Sequence, residues 1–155
     1  MSLSIQNRQR RVPVPSSRLR RVAARTLTAL GRADCEVHVA LVDDREISRL
    51  NRRYRGARRA TDVLAFNLAS PGPSRLLGEV VISAETAARQ AARLRIPVAL
   101  ELDLLLVHGL LHLVGYDDHA PAKARLMHER EREILTGGRR RPLPDRLWTG
   151  LLDTP

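Results

Sequence analysis

Along this chain the spacing of apolar residues switches repeatedly between two and three-to-four, which predicts alternating strands and helices. Leu3–Gln6 reads as a short first strand, and Ser16 or Ser17 caps a helix that runs to Leu30 and stops at Gly31. Cys35–Val42 (CEVHVALV) alternates at period two and reads as a strand. Asp43 or Asp44 opens a short helix through Asn51, with Ile47 and Leu50 on one side. Asp62–Leu68 and Leu77–Ser83 are two further strands, joined across the turn-rich Ser70-Pro71-Gly72-Pro73. Ser83 then caps an alanine-rich helix to about Arg95. Pro97 opens a helix that is apolar nearly all round, hence central, and ends at Gly115. A last helix runs from about Pro121 to Thr136, before Gly137-Gly138. The expectation is one α/β (α+β) domain over residues 1–137, a small mixed four-stranded sheet packed with about five helices. Residues 138–155 read as an Arg/Pro-rich, loosely held C-terminal tail.

Length and composition narrow the class. At 155 residues the chain accommodates one ordinary domain but not two, and 43% hydrophobic with 28% charged residues excludes a wholly disordered protein. No apolar run approaches the ~18 residues of a membrane span. The N-terminus lacks an apolar core followed by a small-residue cleavage site. The one cysteine, Cys35, has no partner for an internal disulfide, which fits a reducing compartment. These features predict a cytoplasmic protein with no membrane partner.

Charge adds a partner class. The formal net charge is +10, and all 27 basic residues except Lys123 are arginine, whose planar fork matches phosphate oxygens. The charge is segregated: residues 1–34 hold eight arginines against Asp34 alone, and residues 45–59 hold seven against Glu46. Residues 85–135 are nearly balanced, with seven basic and eight acidic side chains. A polyanion such as RNA is the expected partner, and Arg52, Arg53, Arg58 and Arg59 are candidate nucleic-acid contacts. Aromatic residues total only 3%, so single-strand binding must lean on phosphates rather than on base stacking.

The candidate chemistry is concentrated in His108-Gly-Leu-Leu-His112-Leu-Val-Gly-Tyr-Asp-Asp118-His119. Residues four apart share a helical face, so His108 and His112 can point at one ion. Gly115 can end the helix in a left-handed conformation and return the chain, allowing Asp118 or His119 to complete a three-ligand site. Three protein ligands leave a fourth position open, the arrangement of catalytic rather than structural zinc. The expected cofactor is one zinc ion per chain.

This spacing resembles that of zinc metalloproteases, but Gly109 stands where the protease carries its general-base carboxylate. The whole segment instead resembles the YbeY family of rRNA-maturation endoribonucleases, marked by His-Gly-x-Leu-His-x-x-Gly-Tyr-Asp-His. Three further segments carry the resemblance: Leu50-Asn51-x-x-Tyr54-Arg55-Gly56, Thr61–Phe66 and Leu77–Ser83. It implies a single-strand-specific, zinc-dependent endoribonuclease acting in 16S rRNA 3′-end maturation and ribosome quality control, with precursor rRNA and the small subunit as partners. It also implies catalytic roles for Arg55 and for Glu79. An arginine beside a metal suits phosphodiester cleavage, because charge develops on the nonbridging oxygens. Whether water or the RNA 2′-hydroxyl attacks is left open by these residues. Two other readings are a zinc peptidase, disfavoured by Gly109, and a non-catalytic rRNA-binding assembly factor with structural zinc. The family's third histidine falls six residues after the second, where this chain has Asp118 with His119 following. Asp118 is favoured as the ligand because it needs no extra residue in the turn.

The remaining polar residues attract plainer readings. Glu101, seven residues before His108, either orients a ligand histidine or faces the helix dipole. Tyr116 is expected to pack against the returning chain. His38 is an ordinary half-buried strand histidine, and His128, among Glu129, Glu131 and Glu133, belongs to a solvated charged face.

Overall fold

The computed structural model describes residues 2–55, 62–68, 75–137, 139 and 141–152. Among the described residues ten elements follow one another: β1 (Ser2–Asn7), α1 (Ser16–Ala29), β2 (Glu36–Val42), α2 (Asp44–Arg55), β3 (Val63–Asn67), β4 (Leu76–Ser83), α3 (Ala84–Leu94), α4 (Val98–Leu113), α5 (Pro121–Thr136) and α6 (Arg146–Leu152). The strands form one mixed sheet in the order β1-β2-β4-β3. β1 and β4 lie parallel to β2, and β3 closes the edge antiparallel to β4 with Phe66 opposite Glu79 and Asn67 opposite Gly78. The α+β class, the four strands and the central helix match the sequence expectation.

Two apolar layers flank the sheet. On one face, Val39, Leu41, Val80 and Ile82 pack with α1, α3, α4 and α5 in a single large cluster. On the other, Ala40, Val42, Leu64 and Val81 meet Ile47 and Leu50 of α2. α4 is the hub: 13 of its 16 residues are buried, which is why its sequence is apolar on every side. Its approach to the sheet requires Gly109. A Cβ there would stand 2.6 Å from Val80 Cγ1 and 3.1 Å from Cγ2, so only glycine lets the helix lie against β4 unperturbed. Gly78 makes the matching allowance on the strand, where a Cβ would collide with the Phe66 carbonyl oxygen and stand 2.7 Å from Leu113.

The helix ends show where local signals held. Ser83 caps α3, its hydroxyl accepting from Thr86 N–H at 3.1 Å. Neither Ser16 nor Ser17 caps α1; both lie inside the helix and Pro15 is the cap residue, without a side-chain bond. A sixth helix, α6, lies in the stretch read as a loosely held tail. Leu143, Leu147 and Trp148 belong to the main core, and Arg146 donates to the Leu94 and Arg95 carbonyls at the end of α3. These apolar residues are sparse among prolines and arginines, so no periodic run announces the helix. Among the described residues no single helix is long and apolar enough to cross a membrane.

Candidate metal centre

The C-terminal half of α4 carries His108 and His112 on one face, His108 with only 6% exposure and His112 half-buried. The helix ends at Leu113, and Gly115, at φ +103°, turns the chain back through a conformation that side chains disfavour. Tyr116 N–H bonds the Leu111 carbonyl at 3.0 Å, and His119 N–H bonds the Asp117 carboxylate at 2.9 Å. This turn aims the Asp118 side chain back at the two histidines. His108, His112 and Asp118 offer ligand atoms that all lie within 4.8 Å of one another. His119 is directed outward, its side chain 90% exposed. It shares a second carboxylate-rich trio with Asp117 and Asp118, but that group sits at the surface.

The hydrogen bonds fix which nitrogen faces inward. His112 Nδ1 lies 3.1 Å from the Tyr116 carbonyl oxygen, an acceptor only, so Nδ1 donates and Nε2 keeps a lone pair. His108 Nδ1 lies 2.6 Å from Oε1 of Glu131, a fully buried carboxylate on α5, and donates likewise. The two Nε2 atoms then face each other at 3.1 Å, with Asp118 oxygens 3.4 Å from His108 Nε2 and 3.7 Å from His112 Nε2. Donors about 2.0–2.2 Å from a tetrahedral zinc ion stand roughly 3.3–3.5 Å apart. Two imidazole nitrogens and a carboxylate at separations near these could hold such an ion.

The electrostatics favour a cation at this point. Burial alone would push the His108 imidazole down, but hydrogen bonds to Asp118 and Glu131 and their charges outweigh it and lift the pKa to about 9. Hydrogen bonding to His108, with the nearby histidine charges, holds Asp118 well below the usual carboxylate range against its own burial. Glu131 is opposed by burial yet also held down, by bonds from His108 and His128. His112 is pushed down by burial and by the charge on His108. The two carboxylates set against His108 thus favour positive charge at this point.

The other sequence candidates are distributed differently. Arg52 and Arg53 are exposed on α2, and Arg55 is its last residue; the Arg55 side chain, Arg58 and Arg59 lie outside the described residues. Glu79 lines a cavity of about 630 Å³ with Arg8, Leu50, Phe66 and Asn67. Strand residues alternate, and Val80 faces α4 while Val81 faces α2, so Glu79 lies on the α2 side of the sheet, away from the histidines. Glu101 is buried and does not bond His108; the carboxylate that does is Glu131, on a face that composition alone reads as solvated. His128 is likewise engaged, its Nδ1 3.0 Å from Glu131 Oε2. The available signal was the buried stripe Met127, Glu131, Ile134 and Leu135, at helical spacing with an acid in its middle. Tyr116 packs against the main core and supplies its carbonyl to His112.

Known proteins with related sequences place this centre in context. A protein named Endoribonuclease YbeY from an Anaeromyxobacter species is 56% identical over 118 residues, covering 76% of this chain and 62% of that relative. The chain thus matches under two thirds of the length of this relative. Proteins of the same name from Geobacter metallireducens and Moorella thermoacetica are each 44% identical, covering 87% and 88% of this chain and 94% and 97% of theirs. In fold, the chain resembles the solution structure of TM1509 from Thermotoga maritima, with a TM-score of 0.60 at 24% identity, over 97% of this chain and 91% of that one. The profile of the Endoribonuclease YbeY family matches residues 4–138, nearly the whole span from β1 through α5, and on that match the chain belongs to this family.

Proposed function

We propose that the chain is a zinc-dependent endoribonuclease that cuts single-stranded RNA, with His108, His112 and Asp118 as the metal ligands. The observation that carries this reading is the convergence of two Nε2 atoms and one carboxylate within 4.8 Å of one another, with both Nδ1 atoms already hydrogen-bonded. A zinc ion held there would supply Lewis acidity toward a phosphoryl oxygen. The protein's part is to bring the two imidazoles and the carboxylate together and to bring RNA to them. Arg52, Arg53, Arg58 and Arg59 engage backbone phosphates, and Arg55 stabilises the charge that develops on the cleaved phosphate. The substrate is precursor 16S rRNA and the partner the small ribosomal subunit, in the cytoplasm; the family membership supports this reading.

A peptidase is disfavoured by packing. Position 109 faces Val80 and Val63 of the sheet, where even a Cβ is crowded, so no general base can be accommodated there. The test is to incubate metal-defined protein with single- and double-stranded RNA and DNA. Cleavage of single-stranded RNA, lost on chelation and restored by zinc, is expected. Tight RNA binding without cleavage at full zinc occupancy would refute the enzyme and leave an assembly factor.

A further inference from the structure

α5 carries a feature that its amphipathic pattern does not explain. Its buried stripe consists of Met127, Glu131, Ile134 and Leu135, and Glu131 has no exposed surface at all. A carboxylate in an apolar stripe loses its hydration and is retained only where partners replace it. Both of its oxygens are committed: Oε1 is 2.6 Å from His108 Nδ1, and Oε2 is 3.0 Å from His128 Nδ1. His128 stands one turn earlier on the same helix, and its ring lies nearly parallel to that of His108, at 18° with centroids 6.5 Å apart. The carboxylate is thus gripped between two imidazoles, one buried and one at the rim of a cavity of about 520 Å³ bordered by Trp148.

We propose that Glu131 is a positioning residue of the metal centre: its carboxylate holds His108 with Nδ1–H turned toward α5 and Nε2 turned toward His112 and Asp118, and His128 in turn fixes the carboxylate. Glu131 meets His108 on the Nδ1 side, so it acts through the histidine rather than as a ligand. A histidine that donates its outer N–H to a carboxylate is a more basic and better oriented ligand. Among the described residues His112 has a backbone carbonyl in the equivalent place, at 3.1 Å, so His108 is the more strongly supported of the pair. The inference rests on the zinc-site reading above and extends it to α5.

The test uses Glu131→Met, which suits the apolar stripe, and Glu131→Gln, which keeps the shape without the charge. Glu129→Gln, on the exposed side of α5, is the control. Zinc affinity is measured by chelator competition, and the His108 Nδ1–H proton is followed by NMR in the metal-free protein. Both Glu131 variants are expected to bind zinc about 10–100-fold more weakly, with cooperative unfolding retained and the control unchanged. The wild-type His108 Nδ1–H should be a downfield, slowly exchanging resonance that the Met variant loses. Affinity within twofold of wild type in both variants, or a His108 Nδ1–H that persists unchanged in the Met variant, overturns the proposal. If the wild-type chain binds no zinc, the metal reading fails by itself, and the NMR comparison still decides whether Glu131 holds His108.

Discussion

Glu101 offers a direct test of how α4 is buried. It lies in the first turn of that helix with 2% exposure, and its Oε2 finds no hydrogen-bond partner among the described residues. Burial, reinforced by the negative charge of Asp62 and opposed by Arg93, pushes its carboxyl from 4.5 up to about 7. Between those values the folded chain keeps a proton that the unfolded chain has released. Stability from this group is therefore fully present below pH 4.5 and is lost as pH rises toward 7, after which it stays level. A rise of this size corresponds to about 3 kcal/mol. Glu101→Gln is neutral at every pH and escapes the loss. Other carboxylates, such as Asp44 with its bonds to Arg89, Ser83 and Thr86, are lowered despite burial and drive the opposite trend. Those contributions cancel when variant and wild type are compared at each pH. Urea unfolding of the metal-free proteins from pH 4 to 8 should show the Gln variant gaining about 3 kcal/mol on wild type across the range, on the order of 10 °C in Tm. A difference constant to within about 0.5 kcal/mol would show that Glu101 carries no isolated buried charge, and the reasoning would fail.

Three other outcomes follow from the same geometry. Asp118→Ala should cut zinc affinity far more than His119→Ala in a chelator competition, and the reverse ranking would mean that the turn is shifted by one residue. Gly109→Ala places a Cβ 2.6 Å from Val80 Cγ1, and this crowding, worth about 1–3 kcal/mol, should exceed the roughly 1 kcal/mol that alanine gains in a helix. Its Tm should fall and be recovered by adding Val80→Ala; a rise in Tm from the single change would contradict the packing. RNA binding should weaken steeply with salt, and Arg55→Glu should lose cleavage more than binding, since the other arginines of 45–59 remain. Equal losses of both would reduce Arg55 to one more binding charge.

The parts of the centre that could be read in the sequence are those fixed by local periodicity. His108 and His112 are one helical turn apart, Gly115 ends the helix, and Asp118 follows at a distance that a tight return can bridge, so three candidate ligands emerge from eleven consecutive residues. Nothing outside that segment is needed to bring them together. The alternation of β4 likewise shows that Glu79 and Val80 face opposite ways. It does not say which face α4 covers, because that depends on how the β2–β4 pairing and the crossovers dispose of the helices. The match between Gly109 and Val80 settles it, and it is visible only once the helix and strand are in contact.

Glu131 marks the limit of local reasoning. It lies 23 residues beyond His108, in a helix where Glu129, Glu131 and Glu133 alternate with arginines, and by composition all three belong in water. Which of them turns inward is decided by the rotation of α5 on α4, set in turn by Met127, Ile134 and Leu135 entering the core. Apolar residues at i, i+7 and i+8 leave position i+4 on the same face, so the periodicity does single out Glu131 when the stripe is traced through the charge run rather than around it. The acid then needs a buried positive or donor partner, and the histidine of the neighbouring helix is the available one. In α5 the acidic residue that interrupts the apolar stripe points to a histidine on the helix it packs against. In this chain the same residue that looks like a flaw in α5 completes the hydrogen bonding of α4.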